Sequence, residues 1–480
     1  MTAFLIALAV LVGGYFLYGL FIDRILETSA SNPTPAYTKR DDIDFHPMPV
    51  WKVFLIQFLN IAGLGPIFGA IMGIMFGPAA FLWIALGTIF GGAVHDFASG
   101  VISLRQGGAS LPEIVGGQLG NGVRRTMVIF SVLLLILVTA VFVSTPAGLL
   151  ASMTPDYLDR KFWLIAIFAY YVLATLLPID KLIGKIYPLF GFALLFMALG
   201  LLGVLIFTSV EIPVSFSEMM RPSTAPAAIF PMMFVSIACG AISGFHATQS
   251  PMMARCLTNE KLARPVFYGA MVAEGIVALI WAAAAVTYTG GYEQLSTYMT
   301  MDGHDAGSLV KDVSFSWLGT FGGILAILGV IAAPITTGDT ALRSARLTVA
   351  DFLHISQSKI TRRILVTIPL IIVVALLMMM DFSVLWRYFA WSNQTLSVFT
   401  LWAVTVYLAR HAKPWIITML PAMFMTIVCV SYILCAPRPE GFGVDITAAT
   451  LIGLTVAIIF AAIFLKYKNR LTVHQTANDD

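Results

Sequence analysis

The chain has 480 residues, 59% of them hydrophobic and 11% charged, with a formal net charge of +3 and a mean hydropathy of +0.89. Soluble domains carry about 25% charged residues, so this composition excludes a soluble enzyme or a nucleic-acid-binding module and gives a polytopic membrane protein in contact with a lipid bilayer. The four cysteines, Cys239, Cys256, Cys429 and Cys435, fall in or beside apolar stretches without CxxC or zinc spacing, so they read as small buried residues, and no metal or cofactor is expected.

In chain order, apolar runs of spanning length occur near residues 2–22, 50–77, 79–104, 124–152, 161–178, 185–208, 228–257, 264–288, 317–341, 362–380, 384–409, 414–435 and 445–467. They predict about 13 transmembrane helices, numbered here in that order. Run 1 has no basic segment and no small-residue cleavage pattern before Asp23-Arg24, so it reads as a retained span. With this count, only Arg160, Lys161, Arg221, Lys311, Arg387 and Arg438 of the 28 basic residues lie on one side. The positive-inside rule then places the N-terminus outside and the C-terminus in the cytoplasm. Between runs 8 and 9, the acidic outer segment 289–316 is expected to be a solvated loop or a small lid. On the inner side, Leu342 to Ser358 carries Arg343, Arg346 and Asp351 at helical spacing and reads as a continuation of helix 9 or an interfacial helix.

Run 2 is interrupted at its centre by Asn60-Ile-Ala-Gly-Leu-Gly-Pro66. Gly63 and Gly65 favour unwinding, and Pro66 lacks the amide hydrogen a helix interior needs, so the stretch predicts two half-helices joined by an extended linker. Lipid cannot satisfy the freed backbone groups, so the break must face protein or a wet cavity. Run 7 holds a second interruption, Cys239-Gly-Ala-Ile-Ser-Gly-Phe-His-Ala-Thr-Gln-Ser-Pro251, five helices later. Paired interruptions in corresponding positions point to an inverted-repeat transporter, while packing kinks are the plain alternative. The resulting division is an extra helix and loop over 1–49, five-helix units over 50–208 and 227–410, and two extra helices over 411–480.

Ionisable groups deep in spans are costly and usually functional. His95 and Asp96 lie two thirds of the way along run 3 and read as a mutually satisfied pair near the inner mouth or as coupling groups. His246, just past the second break, can donate to an anionic substrate or exchange a proton. Glu274, about ten residues into run 8, is a candidate proton carrier or a partner for another helix. Near the end of run 9, Thr336, Thr337 and Asp339 supply hard oxygen ligands suited to Na⁺, and Asp339 is also spaced to pair with Arg343. Asn393 and Gln394 belong to a polar cluster in run 11 suited to bonding across helices. No HExxH, acid-rich metal box or Ser/His/Asp set accompanies these residues, so an enzyme is not expected.

Several of these stretches together resemble the CstA family of carbon-starvation proteins. They are Asn60 to Pro66, Gly91-Gly-Ala-Val-His-Asp-Phe97, Phe230-Pro231 with Ile237 to His246, Tyr268-Gly-Ala-Met271 with Glu274, Thr336 to Arg346, and Asn393-Gln394. The resemblance covers roughly residues 45–410. It implies a LeuT-like 5+5 inverted-repeat core and cation-driven uptake of a small carboxylate such as pyruvate, or of a short peptide, across a prokaryotic inner membrane. The chain departs from the longer family members in its length and in His95, where a glutamine is expected in them. The reading at this point is an H⁺-coupled symporter. Its substrate-binding residues would be Gly63, Gly65, Ala241, Ser243, Gly244, His246, Asn393 and Gln394, and its ion-coupling residues Glu274, His95, Asp96, Thr336, Thr337 and Asp339. Na⁺-coupled uptake of another organic solute and a channel are the alternatives.

Overall fold

The computed structural model describes residues 2–41, 45–176, 183–207, 228–302, 304–355, 357 and 359–476. Lys181 and Arg221 of the charge count, the end of run 5 and the join between the two five-helix units lie outside the described residues. The described chain is all-helical, joined by turns and loops, with one isolated bridge between Met48 and Leu257. Among these residues nine helices are long and apolar enough to cross a membrane, or ten when Val50–Ile61 and Leu64–Ile74 form one bent span. The other expected spans are helical but fall short of that measure. Arg160–Leu176 has 17 residues, run 7 is split into Ile229–Ser236 and His246–Ala254, and Phe382–Arg410 carries the polar Asn393-Gln394 cluster. Length and composition therefore do not by themselves carry the number 13.

Both interruptions are present, but the first is tighter than the expected extended linker. Helix 2 consists of Val50–Ile61 and Leu64–Ile74, with only Ala62 and Gly63 between them and a bend of 44°. Gly65 and Pro66 are helical, because the first turn of the second half needs no amide donor and tolerates proline. Helix 7 is the more open of the two, with residues 237–245 lying between its halves.

Glycines let the two broken segments approach each other. A Cβ on Gly65 would fall on the Cys239 side chain, one on Gly69 on the Ser236 carbonyl, and one on Gly73 on Ile237. Residues 55–71 and 237–247 are all buried, so both breaks face protein and not lipid.

Helix 9 begins earlier than expected and continues past its run, as one of the two readings of 342–358 had it. Run 9 was expected over 317–341, but the helix runs from Ala306 to Phe352 with a non-helical residue at Gly319 (φ 66°), so 342–352 continues it. The acidic segment 289–316 contains the short helix Tyr292–Thr300, whose Tyr298 hydroxyl donates to Asp312 at 2.7 Å. Helix 1 (Thr2–Leu26) is fastened at its basic end. Arg105, at the end of helix 3, donates to the Leu26 carbonyl at 2.7 Å, and Lys413 donates to the Ile25 carbonyl at 2.6 Å. Cations against terminal carbonyls complement the helix dipole.

Candidate functional site

Helix 3 reaches its charged pair through a π-helical turn, Gly87–Gly92, before continuing as Ala93–Arg105. Helix 8 does the same, with a π-helical turn Arg264–Tyr268 before Gly269–Thr289. Such turns are rare and favour functional sites. Here the Tyr268 hydroxyl donates to the Ile89 carbonyl at 3.1 Å, so the two turns are tied together. Asp96 lies nine residues before Arg105, and Glu274 lies ten residues after Arg264. At 1.5 Å per residue both carboxyl groups sit roughly 14 Å from the basic ends of their helices. Two helices running in opposite directions thus bring an acid to the same depth.

His246, the first residue of the second half of helix 7, stands between them. Its Nδ1 is 3.3 Å from Asp96 Oδ2 and its Nε2 is 3.5 Å from Glu274 Oε2. On the far side His95 Nδ1 is 2.8 Å from Asp96 Oδ1. The result is a row, His95–Asp96–His246–Glu274, in which every side chain is 0% exposed. Only the His95–Asp96 contact has hydrogen-bond geometry. Asp96 Oδ2, both ring nitrogens of His246 and both Glu274 oxygens are buried without a hydrogen bond. Among the described residues the ion-pair partners of the two acids are the two histidines. Buried charge must be compensated, so the row's charge balance is set by how many protons it holds.

His95 and Asp96 do form the expected mutually bonded pair, at 2.8 Å, but the pair is one end of a longer row. Both residues are sealed inside the bundle, and Asp96 turns its second oxygen to His246.

The residues expected to bind substrate divide into two groups. Gly63, Gly65 and Ala241 lie where the breaks meet: Gly63 faces Ala333 of helix 9, Gly65 faces Cys239, and Ala241 packs against Gly87 and Gly92. Ser243, Gly244, Asn393 and Gln394 form a clamp. Asn393 Oδ1 accepts from the Ser243 hydroxyl at 2.9 Å and from the Phe245 amide at 2.7 Å, and Nδ2 donates to Cys239 Sγ at 3.2 Å. The Asn393 carbonyl accepts from the Gly244 amide at 3.0 Å, and Gln394 donates to the Phe234 carbonyl. This side-chain pair stitches helix 11 to the first half of helix 7 and to its unwound part. In helix 9 the Thr336 and Thr337 hydroxyls donate to the Ala333 carbonyl at 2.8 and 2.9 Å. Asp339 lies 3.7 Å from Arg343, which also donates to the Ala174 carbonyl at 2.5 Å.

Two further contacts were not legible as site features. Thr88, inside the first π-turn, donates to the Gly240 carbonyl at 3.1 Å and so holds the second break. Gln57 donates to Ser250 at 3.3 Å, bridging the halves of helices 2 and 7 that lead to the basic side. Gln57, Asn60 and Gln249 each keep a buried side-chain oxygen without a partner. Polar residues flanking a break were the available signal for these three; nothing in the sequence distinguishes Thr88. Among the described residues no group of three or more His, Cys, Asp or Glu forms a metal site.

The carbon starvation protein CstA family matches residues 1–157 and 147–319. An uncharacterized membrane protein of Haemophilus influenzae is 40% identical over 338 residues, covering 60% of this chain and 91% of that one. The peptide transporter CstA of Campylobacter jejuni is 28% identical over 376 residues, covering 65% of this chain and 53% of that one. The pyruvate/proton symporter BtsT of Escherichia coli is 26% identical over 356 residues, covering 61% and 50%. The chain thus spans about half the length of these two transporters. Among solved structures, a Na⁺-coupled sialic acid symporter in a substrate-bound outward-open state superposes with a TM-score of 0.52 at 15% identity, over 95% of this chain and 96% of that one. That likeness shows the fold, a LeuT-like transporter architecture. The chain belongs to the carbon starvation protein CstA family.

Proposed function

We propose that this chain imports a small carboxylate or a short peptide by H⁺ symport across a prokaryotic inner membrane, with its basic ends in the cytoplasm. Its family and named relatives are transporters, not enzymes, which supports secondary transport. The observation that carries the reading is the row Asp96–His246–Glu274 beside the second break. His246 begins a half-helix, so its amides and imidazole are placed to meet an anionic group. The same ring contacts both acids, so substrate arrival and proton occupancy act on one side chain. Movement of the broken helices would then expose the row to either side in turn, which is alternating access. In this reading 50–208 and 227–410 are the two inverted repeats.

Na⁺ coupling is the second reading. Gly63 faces Ala333, one turn before Thr336 and Thr337, so the carbonyls at the first break and the two hydroxyls would supply the oxygen ligands. The deciding experiment is uptake of labelled pyruvate and of a labelled dipeptide into proteoliposomes, with a pH gradient and a Na⁺ gradient imposed separately. Accumulation above equilibrium under the pH gradient alone supports H⁺ symport, and accumulation only under Na⁺ overturns it. Equilibration without accumulation under either gradient indicates a channel.

A further inference from the structure

The described surface contains an apolar groove of about 750 Å³, away from the row of titratable residues. Its walls are Tyr15 of helix 1, Trp51 and Phe54 of helix 2, Phe192 of helix 6, and helix 8 from Pro265 to Ile276. Trp51 and Phe192 are exposed, so the groove opens outward to the hydrocarbon. Along helix 8 it covers 11 residue steps, about 16 Å. That matches one leaflet of a bilayer whose hydrocarbon core is about 30 Å thick. Its volume lies within the roughly 300–1,000 Å³ typical of small-molecule sites.

The groove is polarised in charge. At its basic end Arg264 lies over the Tyr15 ring, 4.9 Å from the centroid, and immediately precedes the lining residue Pro265. Arg264 is half-buried, and its Nη1 is sealed from solvent without a hydrogen-bond partner. Lys52 follows the lining residue Trp51 and is half-buried. An acyl-chain-length apolar slot with Arg264 against its wall and Lys52 next in sequence to Trp51 complements an anionic amphiphile, since basic pockets at the ends of transmembrane helices attract lipid phosphates.

We infer that this groove is a site for one anionic phospholipid of the leaflet at the basic end, its acyl chain along helix 8 and its phosphate at Arg264 and Lys52. The lipid would sit between the first half of helix 2 and the face of helix 8 opposite Glu274. It would therefore bear directly on the first half of helix 2. This site lies beyond the substrate and ion reading and does not depend on it.

The test compares the purified full chain in vesicles or mixed micelles of phosphatidylglycerol and of phosphatidylcholine with matched acyl chains. Lipid retention by native mass spectrometry and thermal unfolding are the readouts. Phosphatidylglycerol is expected to be retained preferentially and to raise the unfolding temperature by about 2 °C or more relative to phosphatidylcholine. Lys52→Gln with Arg264→Gln should remove that preference, and Lys52→Gln with Arg264→Lys should keep part of it. Ala273→Phe, which narrows the groove, should reduce retention of both lipids. Equal retention of the two lipids by the wild type, or an anionic preference unchanged in the double glutamine variant, overturns the proposal. A dimer that Ala273→Phe dissociates would also overturn it, by assigning the groove to a second copy of the chain.

Discussion

His246 and Glu274 face each other at 3.5 Å with both side chains sealed from solvent, and the imidazole shares its other nitrogen with Asp96. Glu274→Gln keeps the shape of the side chain and removes only its capacity to carry a proton. If the row couples H⁺ to substrate, this variant should still exchange labelled for unlabelled substrate across a membrane. Its accumulation under a pH gradient should fall by at least about tenfold, equivalent to about 1.4 kcal/mol of lost driving force. The pair of assays, counterflow and gradient-driven uptake, separates loss of coupling from loss of folding. Normal accumulation by Glu274→Gln would sink the proton-carrier role.

Asn393 gives a second prediction, because the geometry assigns it work in holding helix 7. Asn393→Ala removes three side-chain hydrogen bonds and leaves the Ser243 hydroxyl and the Phe245 amide buried without their acceptor. An unsatisfied buried group costs about 1–3 kcal/mol, so the variant should unfold at a distinctly lower temperature in detergent. Were Asn393 chiefly a substrate ligand, the variant would instead keep its unfolding temperature and show a raised KM. The two outcomes differ in a measurement that needs no knowledge of the substrate.

Much of this arrangement could be read from the chain. Both interruptions announced themselves through glycine and proline at the centres of apolar runs, and the four titratable residues stood out because charge is rare at such depth. Their meeting was not readable. Asp96 and Glu274 come from helices 178 positions apart in sequence, and only opposite helix directions bring them to one depth. The tightness of the first break was missed for a local reason, since a proline in the first turn of a half-helix starts that helix and does not prolong the linker. Asn393 read as a substrate-binding candidate in a cluster suited to bonding across helices, but that its side chain is taken up by Ser243, Phe245 and Cys239 of helix 7 depends on the register between helices 7 and 11. Periodicity within each helix does not carry that register.

The contact between Gly65 and Cys239 predicts a coupled pair of substitutions. A Cβ on Gly65 would overlap both Cβ and Sγ of Cys239, so Gly65→Ala should push the two breaks apart and destabilise the protein by about 1–3 kcal/mol, the usual range for overpacking. Cys239→Gly removes the atoms in the way and should recover part of the loss in the double variant. A thermodynamic cycle over the four proteins measures this coupling, which contacting residues typically show at about 0.5–3 kcal/mol. Additive effects would mean that the breaks do not bear on each other through this pair.

The last prediction concerns the basic end, where Arg105 and Glu260 join helices 3 and 8, the two helices that carry Asp96 and Glu274. Arg105 Nε lies 2.7 Å from Glu260 Oε1, Glu260 is 1% exposed, and Asn32 also donates to its carboxylate. Arg105 reaches further, to the Leu26 carbonyl of helix 1 and, at 3.4 Å, to the Tyr407 hydroxyl of helix 11. Removing one partner of a buried ion pair strands the other and costs about 3–5 kcal/mol; with Arg105 partly exposed, about 2–3 kcal/mol is expected for Arg105→Ala. Arg105→Ala with Glu260→Gln leaves no stranded carboxylate and should lie closer to the wild type in thermal unfolding. The ends of four helices meet at this one guanidinium. The single variant should therefore also raise hydrogen exchange at the basic ends of helices 1, 3, 8 and 11 together. Exchange confined to helix 3 would mean that the four ends are not one mechanical unit and that helix 1 packs on the core without being locked to it.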